Sequence, residues 1–141
     1  MRFMVLVKAT KESEAGVLPT EDQLAKMGAF NEEMVKAGVM LAGEGLQASS
    51  KGVRIKFSGL KRTVIDGPFP ETEELVAGFW LIQVKSKEEA IEWISRSPFK
   101  DGEVEIRQVF EAEDFGPRLT PELREAEERM RQQTAGPQKS L

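Results

Sequence analysis

The chain has 141 residues, 20 basic and 24 acidic for a net charge of −4, and it contains no Cys, His or Tyr. That length fits one domain of ordinary size. Without Cys and His there can be no disulfide, no zinc site of thiolates and imidazoles, no histidine-held haem, and neither Ser-His-Asp nor Cys-His catalysis. Any acid–base chemistry must run on carboxylates, lysines, bound water or a cofactor.

The first element is a strand from Arg2 to Ala9, built on the apolar run Phe3–Val7 and suited to burial on both faces. The run is too short for a signal-peptide core or a membrane span, so a cytoplasmic protein without a membrane partner is expected. A loop with Gly16 and Pro19 follows. Thr20 with Gln23 three residues on reads as a capping box. It opens an amphipathic helix whose apolar face is Leu24, Met27, Phe30 (or Asn31) and Met34, ending near Ala37 with Gly38 as its stop.

Val39 to Ala42 reads as a short strand running into a loop, Gly43-Glu44-Gly45-Leu46, and Gln47 to Gly52 as further loop. Val53, Ile55 and Phe57 alternate with Arg54, Lys56 and Ser58, the period of a half-exposed strand. Ser58-Gly59 turns the chain into a returning strand, Arg62 to Ile65, which closes a hairpin. Asp66-Gly67-Pro68-Phe69-Pro70 is a stiff, shaped loop.

Gly78 to Val84 is the next strand. Ser86 with Glu89 reads as a second capping box, for a helix that buries Ala90, Trp93 and Ile94 and stops before Pro98. Glu103 to Phe110 is the last strand of the domain. Thr120-Pro121 caps a highly charged helix with a thin apolar stripe of Leu123, Ala126 and Met130, and Gln132 to Leu141 reads as a frayed tail.

The order β-α-β, hairpin, β-α-β predicts an α+β fold: a ferredoxin-like split βαβ sandwich with an inserted β-hairpin and helices on one face of the sheet. The other face then needs a cover, and a second subunit supplies it as a dimeric α/β barrel. Residues 1–115 form the domain on this reading, and 116–141 the charged helix and tail.

The segments Gly38–Gln47, Val64–Glu74, Gly78-Phe79-Trp80, Ser86–Trp93 and Val104–Arg107 occur in an order and spacing that resembles the DGPF-domain group of the YCII-related superfamily, over roughly residues 1–115. The resemblance implies the ferredoxin-like fold, a homodimer, and a pocket between sheet and helix or at the subunit junction. It says little about reaction. Most DGPF proteins have no assigned activity, some are fused or adjacent to sigma-factor-like regulators, and one relative in the wider superfamily is a dehydrochlorinase. Relatives there carry a His–Asp pair, which this chain cannot form.

Asp66 is the leading candidate for catalysis, as a general base or ligand anchor at the start of the Gly-Pro loop, or else as the turn cap that fixes that loop. Glu44, between two glycines, is the second carboxylate of such a pair, or a turn feature. If the two converge they would share a proton or hold a divalent ion, but two carboxylates alone do not make a metal site, and no metal or cofactor is expected. Glu71 is close enough in sequence to Asp66 to join it; Glu73 and Glu74 read as solvated. Lys8 would place a cation near these acids, or lie on the surface. Phe69 and Trp80, with Phe79 and Trp93, would wall an apolar ligand pocket, or pack the core and dimer.

Lys51, Arg54, Lys56, Lys61 and Arg62 make one hairpin basic. It reads as a solvated face or as a partner for the acidic tail of the same or a neighbouring chain, and no nucleic-acid partner is expected. Two functions remain. One is a small-molecule pocket at the Asp66 loop with carboxylate-mediated isomerase or lyase chemistry. The other is a non-catalytic metabolite-binding or regulatory module associated with transcription.

Overall fold

A computed structural model describes residues 1–135, and all side chains among them except that of Glu73. The chain divides into a first unit, Met1–Val109, and a second that begins at Phe110.

In the first unit, β1 (Arg2–Lys8), β2 (Met40–Gly45), β5 (Val76–Gln83) and β6 (Val104–Gln108) form an antiparallel sheet in the order β2-β5-β1-β6. Helix α2 (Glu21–Lys36) joins β1 to β2, and α3 (Lys87–Ser95) joins β5 to β6. This is the ferredoxin-like α+β arrangement. Strands β3 (Val53–Ser58) and β4 (Lys61–Asp66) are the inserted hairpin and pair only with each other.

Pairing register sorts the side chains by face. Phe3 opposes Ile82 and Val5 opposes Trp80, and these four are buried with Phe30 and Met34 of α2 and Ala90 and Ile94 of α3 in one core cluster. Both helices therefore cover the same face. Met4 opposite Leu81 and Leu6 opposite Phe79 occupy the other face and are half-buried. The unbroken apolar run of β1 thus resolves into a core-facing set and an outward set.

Local chemistry sets the helix ends. The Thr20 hydroxyl accepts from the Gln23 amide at 3.1 Å, and the Gln23 side chain accepts from the Thr20 amide at 2.9 Å, a complete capping box. At the C-terminus the chain leaves α2 through Gly38, whose φ of +72° favours glycine. Within the helix, Phe30 and Met34 are buried, but Leu24 is exposed. The apolar face starts one turn later than its spacing implies.

Ser86 caps α3 by accepting from the Glu89 amide at 3.1 Å, yet no box forms. The Glu89 carboxylate takes the Lys85 amide instead, at 2.9 Å. Trp93 is half-buried, with the Arg96 guanidinium 3.9 Å above its ring.

Three expectations need correction. Gly43-Glu44-Gly45 is strand, not loop: the ladder to β5 pairs all three residues, so the missing side chains of the glycines do not end the strand. Residues read as loop form a short helix, α1 (Lys11–Glu14), capped by Thr10, and a 3₁₀ turn at Ser49–Lys51. The hairpin is exposed throughout β3, not half-covered.

In the second unit, a 3₁₀ segment (Ala112–Arg118) precedes α4 (Pro121–Thr134), whose cap is the Thr120 hydroxyl accepting from the Leu123 amide at 3.2 Å. The helix includes Gln132 to Thr134, beyond the point where the sequence pattern predicts a frayed tail, because intrahelical bonding continues to the Ala135 amide on Arg131. The rest of that reading, 136–141, lies outside the described residues. No helix among the described residues is long and apolar enough to cross a membrane.

The core is sensitive to volume. Ile82 is fully buried whereas Leu24 is exposed. Ile82→Ala is expected to lower unfolding free energy in urea by roughly 2–5 kcal/mol, and Leu24→Ala by less than about 0.5 kcal/mol.

Candidate functional site

Two open recesses adjoin the residues singled out in the sequence. The first, of about 190 Å³, lies on the helix side of the sheet and is lined by Val7, Met27, Asn31, Phe99, Trp80 and the glycine-rich ends of β2 and β5. Its floor follows from pairing: Gly43 opposes Trp80 and Gly45 opposes Gly78, so neighbouring strands present bare backbone. The glycines are not equivalent. A Cβ at Gly43 would lie 2.7 Å from the Trp80 ring, whereas one at Gly45 would meet nothing within 4 Å.

Trp80 is buried and locked in place. Its indole N–H donates to Asn31 Oδ1 at 2.9 Å, and its ring meets Phe30 edge-on at 5.7 Å and Phe99 at 5.9 Å between centroids. The second recess is lined by Ala9, Thr10, Lys11, Pro70, Glu71, Thr72 and Glu74.

Glu44 lines the first recess through its place between the glycines, but it is exposed and opposes Phe79. Register therefore sends its side chain to the sheet face away from the helices. Asp66 ends β4 opposite Val53, is exposed, and lines neither recess. The two carboxylates share no recess. Lys8 is paired with Glu105 at 3.5 Å. Phe69 and Glu71 are brought together by Arg54, whose guanidinium lies 3.8 Å over the Phe69 ring and donates to Glu71 at 3.3 Å. Glu74 is exposed, and the Glu73 side chain lies outside those described. No cluster of three metal-ligating side chains occurs among the described residues.

The Asp66–Pro70 loop is seated on the Ser49–Lys51 turn. The Gly67 amide donates to the Gly52 carbonyl at 2.9 Å, and the Phe69 amide to Ser49 Oγ at 3.0 Å. Ser49 in turn gives its hydroxyl to Glu14 at 2.5 Å and its amide to the same carboxylate at 2.9 Å. A cis peptide joins Gly67 to Pro68. The approach is so close that a Cβ at Gly67 would lie 1.8 Å from the Ser49 carbonyl oxygen.

A model of the YCII-related domain matches residues 1–113. The chain belongs to the YCII-related domain family. An uncharacterised protein of Rhizobium meliloti (strain 1021) is 29% identical over 92 residues, which span 63% of this chain and 74% of that relative.

In this YCII-related chain, sequence reasoning passed over Glu14 and Ser49, and it named Asn31 only as an alternative to Phe30 on the apolar helix face. Glu14 and Ser49 sit in segments read as loop, 35 residues apart, and only the folded chain brings them together. Helical spacing places Asn31 on the core side but does not reveal its bond to the Trp80 indole.

The Ser49 hydroxyl, then the Ser49 amide, hold the Glu14 carboxyl below its ordinary value of 4.5, against a smaller upward push from burial. A carboxyl whose folded pKa lies below its unfolded one stabilises the fold above the unfolded value. That contribution fades as pH falls through the folded value. Glu14→Gln is therefore expected to lose stability at neutral pH, with the gap to the parent closing in acid-range denaturation curves below pH 4.5. Gly67→Ala is expected to unseat the loop, read as faster hydrogen exchange at the Gly67 and Phe69 amides and a lower Tm.

Proposed function

We propose that the chain is a member of the DGPF group of its family, and that it works in the cytoplasm as a homodimeric, non-catalytic small-molecule-binding module. Its ligand seats on the helix side of the sheet, over the glycine floor. One observation carries this reading: Gly45 faces open space beside a Trp80 ring fixed by Asn31, Phe30 and Phe99. A rigid aromatic wall, a backbone floor and one carboxamide are the ingredients of a mostly apolar ligand site. Oδ1 of Asn31 is engaged by the indole, which leaves its Nδ2 hydrogens to meet a ligand acceptor.

Binding is favoured over proton transfer because Asp66 and Glu44 are both exposed and share no recess. Asp66 then acts as the first residue of the loop seated on Ser49. Phe69, Glu71 and Arg54 hold that loop from its other side. The homodimer is supported by the outward sheet face, where Met4, Leu6, Phe79 and Leu81 form an apolar patch opposite the helices. A second subunit would cover it by face-to-face sheet packing.

A Cβ at Gly45 meets nothing within 4 Å, so Gly45→Leu adds bulk at the recess from an unstrained start. In a thermal-shift screen of metabolites, the parent is expected to be stabilised by at least one compound. Gly45→Leu should keep the parent's Tm without ligand and lose that shift. A shift of equal size in Gly45→Leu would move the site elsewhere, and turnover of the compound that falls in Asp66→Asn would restore the catalytic reading.

A further inference from the structure

The recess over the glycine floor has a polarity that selects its ligand. An indole N–H donates and never accepts, so the Trp80 bond fixes the Asn31 carboxamide with Oδ1 toward the ring. The Asn31 Nδ2 group is then turned away from the indole. It has no partner among the described residues and is not buried. The floor presents no polar group toward it. The Leu46 amide donates to the Ala77 carbonyl of β5, so alternation along β2 turns the peptide groups of Gly43 and Gly45 to the open edge of the sheet, in its plane.

Charge is missing from the same surface. Glu44 is the one ionisable residue that lines this recess among the described residues, and register sends its carboxylate to the opposite sheet face. Lys100, beside Phe99, is exposed, precedes Asp101, and lines neither recess. A carboxylate or phosphate ligand would leave water for one carboxamide donor, with no cation to meet it. An ammonium would find no acceptor at all. An uncharged acceptor meets Nδ2 without either cost. Size narrows the class further. An apolar cavity of roughly 150 Å³ takes up benzene, so about 190 Å³ admits one ring with a small substituent.

We infer that the ligand of this recess is an uncharged, single-ring compound with a carbonyl oxygen, its ring against Trp80 and Phe99 and its oxygen accepting from Asn31 Nδ2. This rests on the binding reading above and adds the selectivity of that site.

Benzamide, benzoate and benzylammonium share a ring and differ in charge. Each is titrated into the ¹⁵N-labelled full chain and followed by amide and indole N–H shifts, the Trp80 indole being assigned as the one that remains in Trp93→Phe. Benzamide is expected to shift the Trp80 indole and the Gly45 amide, to bind at least tenfold more tightly than either charged probe, and to lose these shifts in Gly45→Leu. Asn31→Asp keeps an oxygen on the indole and replaces the free donor by a carboxylate, so it is expected to reverse the order in favour of benzylammonium. Benzoate or benzylammonium matching benzamide at these peaks in the parent overturns the uncharged class and leaves the recess as the binding site. So does an unchanged order in Asn31→Asp. No shift at these peaks from any probe, or shifts that persist in Gly45→Leu, overturn the class and the site together.

Discussion

The helix side of the sheet depends on the seating of one indole. Trp80 stands opposite Val5 on one neighbouring strand and Gly43 on the other, donates to Asn31 of α2, and meets both Phe30 and Phe99. A buried ring of that size needs space on the adjacent strand, and the bare backbone of Gly43 provides it. The buried N–H also needs an acceptor, since leaving it unmade would cost about 1–3 kcal/mol. Asn31 meets that need and in doing so fixes the position of α2 over the sheet. One residue thus ties two strands, a helix and the segment after α3 into a single arrangement. The recess is what remains beside it.

Such a centre explains which parts of the molecule were legible in the sequence. Periodicity exposed Phe30, Met34, Ala90 and Ile94 as core, and the Thr20 box and the Gly38 stop are short-range chemistry that any helix of this kind uses. The order of elements was enough to derive the ferredoxin-like sheet. What stayed hidden was long-range. Glycines next to Glu44 read locally as a loop, because nothing nearby reveals that β5 will pair with them. The contact from Glu14 to Ser49 joins two segments with no periodicity. A capping pair at Ser86 and Glu89 was only half right because Lys85 competes for the same carboxylate.

The absence of Cys, His and Tyr bears on the two ends of the sheet differently. Polar anchoring around the Asp66 loop is done by backbone amides, one serine and one carboxylate, a set that positions a chain segment. The same loop is held from outside by Arg54, whose guanidinium stacks over Phe69. This economy of chemistry suits a scaffold.

The glycines sharpen the contrast. At Gly67 the backbone is pressed so tightly on Ser49 that no side chain fits, and at Gly45 a side chain would fit freely yet is missing. A glycine under compression is accounted for by packing alone. A glycine facing open space, in a strand where it weakens the ladder, has no such account. Its cost is offset only if the space itself is used. Of the two glycine-bearing segments that mark this family resemblance, the Asp66 loop is therefore the closely packed one, and the Glu44 strand borders the open recess.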